Sequence, residues 1–93
     1  MIVTVMGKRW QLVFERGLAR RTGNLGECDP PSKPGKQIRV DASLRGRELL
    51  EVLLHEMGHA ADWHRDEEAV HDTAADMARA VWRMKNLIME DEQ

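Results

Sequence analysis

Ninety-three residues, 42% of them hydrophobic, suffice for one small domain spanning 1–93 and are too apolar for a disordered chain. The lone cysteine, Cys28, excludes an intrachain disulfide framework and suits a reducing cytoplasm, and no apolar run approaches the eighteen or so residues of a membrane span. The net charge of −2 divides into +6 over residues 1–47 and −8 over 48–93, most simply two halves that neutralise each other in one fold.

Residues 1–41 read as strands and a hairpin. The opening Met1–Met6 run lacks a basic n-region, so no secretory leader is expected. Ile2–Met6 and Trp10–Glu15 flank a Gly7-Lys8-Arg9 turn, and Trp10, Leu12 and Phe14 alternate onto one face. Gly17–Asn24 has no period and reads as connection. Leu25–Cys28 reads as a third strand, and Gln37–Asp41 as a fourth, returning after the turn chemistry of Asp29-Pro30-Pro31-Ser32-Lys33-Pro34-Gly35. Trp10, Trp63, Trp82 and Phe14 are expected in the core, and Cys28 as a buried or free thiol.

Two helices follow. The first spans about 45–63, with Asp41 or Ser43 as candidate N-caps. At 100° per residue, Leu50, Leu53, Leu54, Met57 and Ala61 share one side, and Glu48, Val52, His55, Glu56, His59 and Trp63 the other. Gly58, Ala60 and Ala61 would let a neighbouring element approach closely. Asp66 can cap the second helix, 66–88, whose Val70, Ala74, Met77, Val81, Met84 and Ile88 form an apolar stripe. That stripe suits a core face, or the seam of a homodimer in place of a monomer. The tail, Glu90-Asp91-Glu92-Gln93, is expected to fray.

The chemistry lies in His55-Glu56-Met57-Gly58-His59, an HExxH pentapeptide within the first helix. Residues i and i+4 stand one above the other on a helix, so both imidazoles can bind one metal ion, with Glu56 beside them as general base. A catalytic zinc site usually takes three protein ligands and leaves one position open. His64 comes one residue too early for the extended HExxHxxGxxH pattern, and Asp62 stands where that pattern needs glycine. The direction of His71 is intermediate, while Glu68 projects away from the apolar stripe with Asp72 and Asp76. Glu67 lies within about 60° of the stripe's centre and is the preferred third ligand, Glu68 the alternative. Acidic residues in a first helical turn also serve as ordinary dipole partners.

The run Leu53–Trp63 resembles the active-site helix of gluzincin-type zinc metallopeptidases, close to the small SprT-like and ImmA/IrrE-like proteins and the minigluzincins. Glu67-Glu68-Ala69-Val70, with Thr73-Ala74 and Met77-Ala78, resembles their glutamate helix, and the register favours Glu67. Residues 25–29 and 36–41 resemble the hairpin that precedes the active helix in SprT-like domains. The resemblance covers roughly residues 25–82. It departs in a shorter His-to-Glu spacing, in the absence of tyrosine and in the lack of a backing helix before the strands. Such a reduced chain would fit a proenzyme, or a protease that needs a partner to complete its cleft.

Together these readings give an α+β, zincin-like minimal domain: a small, mostly antiparallel sheet, then an HExxH helix and a glutamate-bearing helix. The expected function is zinc-dependent peptide-bond hydrolysis, with Zn²⁺ on His55, His59 and Glu67, and Glu56 as general base and acid for a peptide or protein substrate. The substrate is expected to lie beside an edge strand near Ile38–Val40, with the Pro30–Pro34 turn, and Trp63 where it is not taken up by the core, shaping the cleft. One rival is a non-catalytic zinc-binding regulatory module. The other is a nucleic-acid-associated protease, suggested by the basic half and less favoured because aromatics are few.

Overall fold

A computed structural model describes residues 1–89; the expected fraying of 90–93 falls outside that range. Its elements are β1 (Ile2–Val5), β2 (Lys8–Glu15), α1 (Leu18–Thr22), β3 (Gly26–Cys28), β4 (Gln37–Asp41), α2 (Gly46–Ala61) and α3 (Glu67–Met89). They form an α+β fold with a four-stranded mixed sheet in the order β1-β2-β4-β3.

The first hairpin turns at Met6-Gly7, not at Gly7-Lys8-Arg9. Both residues have positive φ, 51° and 76°, so the two-residue turn matches the twist of the strands and lets β2 begin at Lys8. β1 and β2 are antiparallel, as are β3 and β4, whereas β2 and β4 run parallel with Leu12 opposite Ile38 and Phe14 opposite Val40. Two of the three pairings are therefore antiparallel. β4 is an inner strand, which displaces the expected edge near Ile38–Val40. The free edge on that side belongs to β3.

Gly17–Asn24 is not plain connection, because Leu18–Thr22 forms a one-turn helix. Gly17 and Gly23 bracket it in the left-handed region, a conformation costly for other residues. Leu18 is fully buried, and the Ala19 amide donates to Asp41 Oδ2 at 2.8 Å. Asp41 also accepts from the Ser43 amide and hydroxyl at 2.9 and 2.6 Å. Neither Asp41 nor Ser43 caps α2. Arg45 holds the N-cap position in extended conformation without a side-chain cap bond.

Trp10, Leu12, Ile38, Val40, Leu44 and Ala60 form the main core, with Leu49, Val52, Leu53 and Met57 of α2 packed on it. Burying such side chains contributes about 1.5–3 kcal/mol each. Val52 thus joins the core from the face assigned to chemistry, since β3 approaches there. Phe14 is an exception to the strand pattern: it stays 52% exposed and outside the core cluster.

α3 packs along α2 through Val70, Ala74 and Ala78, all buried. Val70 reaches Gly58 so closely that a methyl group there would lie 3.0 Å from its Cγ1. The apolar stripe bends away from the expected line. Met77, Met84 and Ile88 remain exposed, because the buried i, i+4 row runs through the small alanines instead. No helix of the described residues is long and apolar enough to cross a membrane.

Candidate metal centre

α2 carries His55 and His59 one turn apart on the side away from the Leu53 and Met57 packing. The chain then leaves the helix through Asp62, whose amide donates to Gly58 O, and tightens as Arg65 N donates to Asp62 O, both at 3.1 Å. Asp66 starts α3: its carboxylate accepts from the Ala69 amide at 3.1 Å, and its carbonyl from the Val70 amide at 3.0 Å. Seven residues therefore suffice to reverse direction. The docking of Val70 on Gly58 then swings Glu67, the first residue of α3, over the two histidines.

Glu67 Oε1 lies 2.9 Å from His55 Nε2, and Glu67 Oε2 lies 2.9 Å from His59 Nε2. The two Nε2 atoms are 3.1 Å apart. Among the described residues, His55, His59 and Glu67 are the group of histidine, cysteine and carboxylate side chains close enough to hold a metal ion. Glu68 is not part of it. Four ligands at the usual distances around tetrahedral zinc stand about 3.3 Å from one another, within a few tenths of an ångström of this spacing. Two imidazoles and one carboxylate also make a donor set that suits zinc. The imidazoles are largely shielded, whereas the Glu67 side chain is 69% exposed, so the group opens towards solvent on the α3 side.

Glu56 lies deeper, 7% exposed, with no hydrogen bond to its carboxyl among the described residues. Burial pushes its pKa up to about 7, helped by the negative charges of Glu67 and Glu27 and opposed by Arg39. Its position depends on Gly26. A Cβ at that residue would meet Val52 Cγ1 at 2.8 Å and Glu56 Cγ and Oε2 at 2.9 Å. The sequence reading gave Gly26 no role, because its importance comes from a strand and a helix meeting across 30 residues.

These groups line an open cleft of about 1040 Å³ between β3 and α2. Trp63 lines it as well, 38% exposed with its ring centroid 6.4 Å from that of His59, and so belongs to the cleft and not to the core. His71, one turn beyond Glu67, lines it edge-on to His55 with ring centroids 5.9 Å apart. His64 and the Pro30–Pro34 turn stay outside it. Cys28 lines the β3 wall but stands apart from the metal-binding group. Burial, then Glu56 and Asp29, push its thiol up to about 12, and the thiol donates to Asp29 O at 3.3 Å.

Arg39, on the outer side of β4, holds this wall. It donates to Asp29 Oδ1 at 2.8 Å and to Glu27 Oε1 at 3.2 Å. The pairing locks the β3–β4 hairpin in register beside Gly26. No protein-family model, no curated protein and no solved structure matches this chain.

Proposed function

We propose that this chain is a zinc-dependent peptidase of the gluzincin type, with His55, His59 and Glu67 as metal ligands and Glu56 as the proton carrier. The single observation that carries the reading is a convergence of groups in one open cleft. Two Nε2 atoms and a carboxylate meet within 3.1 Å, and the largely buried Glu56 carboxyl lines the same cleft beside them. When bound, zinc supplies Lewis acidity to a water molecule and to a carbonyl oxygen.

The protein's own residues do the rest. His55 and His59 present their Nε2 atoms from one helix face, and Glu67 closes the set from a second helix. Glu56 takes a proton from the attacking water on one carboxylate oxygen and returns it to the departing amine. An extended peptide added to the free edge of β3 by backbone hydrogen bonds crosses the cleft in front of Glu56. Gly26 keeps β3 close enough to α2 for this line to pass within reach of the two histidines.

The test is hydrolysis of a diverse peptide pool by the zinc-loaded chain, followed by chelation and zinc re-addition. Cleavage that stops with chelator and returns with zinc supports the reading. No cleavage while zinc stays bound would replace it with a zinc-binding module.

A further inference from the structure

We infer that the chain pairs with a second copy of itself through antiparallel α3 helices. The apolar end of each α3 fills a groove beside the start of the other. This surface lies away from the metal group and does not depend on the peptidase reading.

α3 carries a long face without charge. At 100° per residue, Thr73, Met77, Val81, Met84, Leu87 and Ile88 fall within a sector of about 120° that holds no charged residue of the helix. The two halves of this face differ in shape. The first half borders a groove of about 310 Å³, walled by Val5 of β1, Leu54 and Ala61 of α2, and Val70, Ala74 and Met77 of α3. That space holds about ten waters at liquid density, and apolar side chains that displace them from an apolar lining are stabilised there. In the second half the face is a ridge, with Met84, Leu87 and Ile88 exposed by 46%, 70% and 56%.

A face that is groove at one end and ridge at the other complements itself when turned end for end. With a twofold axis near Arg79, Met77 comes level with Val81 of the second copy. Met84 then comes level with its Ala74, and Ile88 with its Val70. The ridge thus arrives at the α3 wall of the groove, at the alternating steps of four and three that let two helices interlock.

Charge selects both the occupant and its direction. Over 67–76, α3 carries Glu67, Glu68, Asp72 and Asp76 and no lysine or arginine; over 77–89 it carries Arg79, Arg83 and Lys85 and no acidic residue. The same axis brings Arg83 level with Asp76 of the second copy, twice in each pair. Arg83 takes part in no ion pair among the described residues, whereas Lys85 lies 3.9 Å over the Trp82 ring. Asp76 uses Oδ1 for Arg79, at 2.7 Å, and keeps Oδ2 for a second cation. A parallel pair would set like charges side by side. Of the described residues, only Arg65 lines both the groove and the metal cleft, so both clefts stay open in the pair.

Sedimentation equilibrium of the full chain over about 5–500 µM reads the pairing. A dimer is expected, and Met84→Glu should weaken it at least about tenfold by carrying a charge into the apolar groove. Arg83→Glu should weaken it about tenfold at low salt, and adding Asp76→Arg should restore it. Met84 and Arg83 are exposed in the single chain, so both variants should keep the parent's urea midpoint and zinc affinity. A chain that stays monomeric to the top of that range, or a dimer indifferent to Met84→Glu, would overturn the assignment. Failure of Asp76→Arg to repair Arg83→Glu would overturn the antiparallel register.

Discussion

A divalent ion at His55, His59 and Glu67 would replace one short contact network with another. Without it, the two imidazoles share the Glu67 carboxylate at 2.9 Å each. With it, the same atoms become ligands after movements of a few tenths of an ångström. The Glu68 side chain, one residue on, is turned about 100° away and does not join the group. Glu67→Gln should therefore weaken zinc binding by more than the ~10–100-fold typical of losing an outer-shell partner, whereas Glu68→Gln should leave it unchanged. Competition with a chromophoric chelator measures both, and equal losses would show that the choice of glutamate is wrong. Helical projection separates these two residues because both lie on one regular element, whose rotation is set by Val70, Ala74 and Ala78. Phe14 and Trp63 were harder to read. Strand alternation points Phe14 inwards, but a core this small stops short of it, while the hydrophobicity of Trp63 argues for the core and its helical projection beside His59 for the cleft, where it stands.

Strand β3 sets the width of the cleft, and it does so through a missing side chain. Gly26→Ala would push a methyl group against Val52 Cγ1 and Glu56, an overpacking that costs about 1–3 kcal/mol. Urea denaturation should show that loss, accompanied by a drop in any hydrolytic activity. An unperturbed midpoint would mean that β3 can retreat from α2 without penalty. The hairpin behind it has an acid limit. Arg39 holds the Asp29 carboxyl down at about 2, with the Gln37 amide and Lys33 assisting and burial opposing. The folded pKa lies below the ordinary value of about 3.9, so this stabilisation is complete above that pH and disappears as pH falls through 2. Asp29→Asn should cost about 1–3 kcal/mol near neutrality and flatten the fall of the urea midpoint between pH 4 and pH 2. A variant with the parent's acid profile would remove Asp29 as its source. The strands and the two long helices are visible in the sequence through alternation, turn residues and helical period. The α1 turn is not, because five residues are too few to show a period and only its flanking glycines mark it.

On the scale of the whole molecule, α2 and α3 are joined by the packing of Val70 on Gly58 at one level and by the histidine–glutamate group at another. Zinc that binds only the folded chain would tie them further. At a free concentration 100 times its Kd, it should add about 2.7 kcal/mol, which for a domain of this size raises Tm by roughly 10–20 °C. Calorimetry with and without zinc reads this directly, and no shift would mean that the ion does not bridge the helices. The topology was only partly legible. Each strand is local and readable, but the parallel pairing of β2 with β4 joins segments separated by a helix, a strand and a proline turn. Placing β4 inside the sheet moves the free edge to β3, and with it the proposed path of the substrate. The acidic half of the chain does more than balance the basic half: it supplies the cleft's Glu48, Glu51, Glu56 and Glu67.

The central claim is that Glu56 moves protons while the histidines and Glu67 hold the metal. The measurement that tests it most directly is the cleavage rate of one peptide bond by the parent and by Glu56→Gln, each carrying the same amount of zinc. We expect one zinc per chain in both proteins and a rate roughly 10²–10⁴-fold lower in the variant. Equal rates at equal zinc content, or loss of zinc on replacing Glu56, would contradict the account.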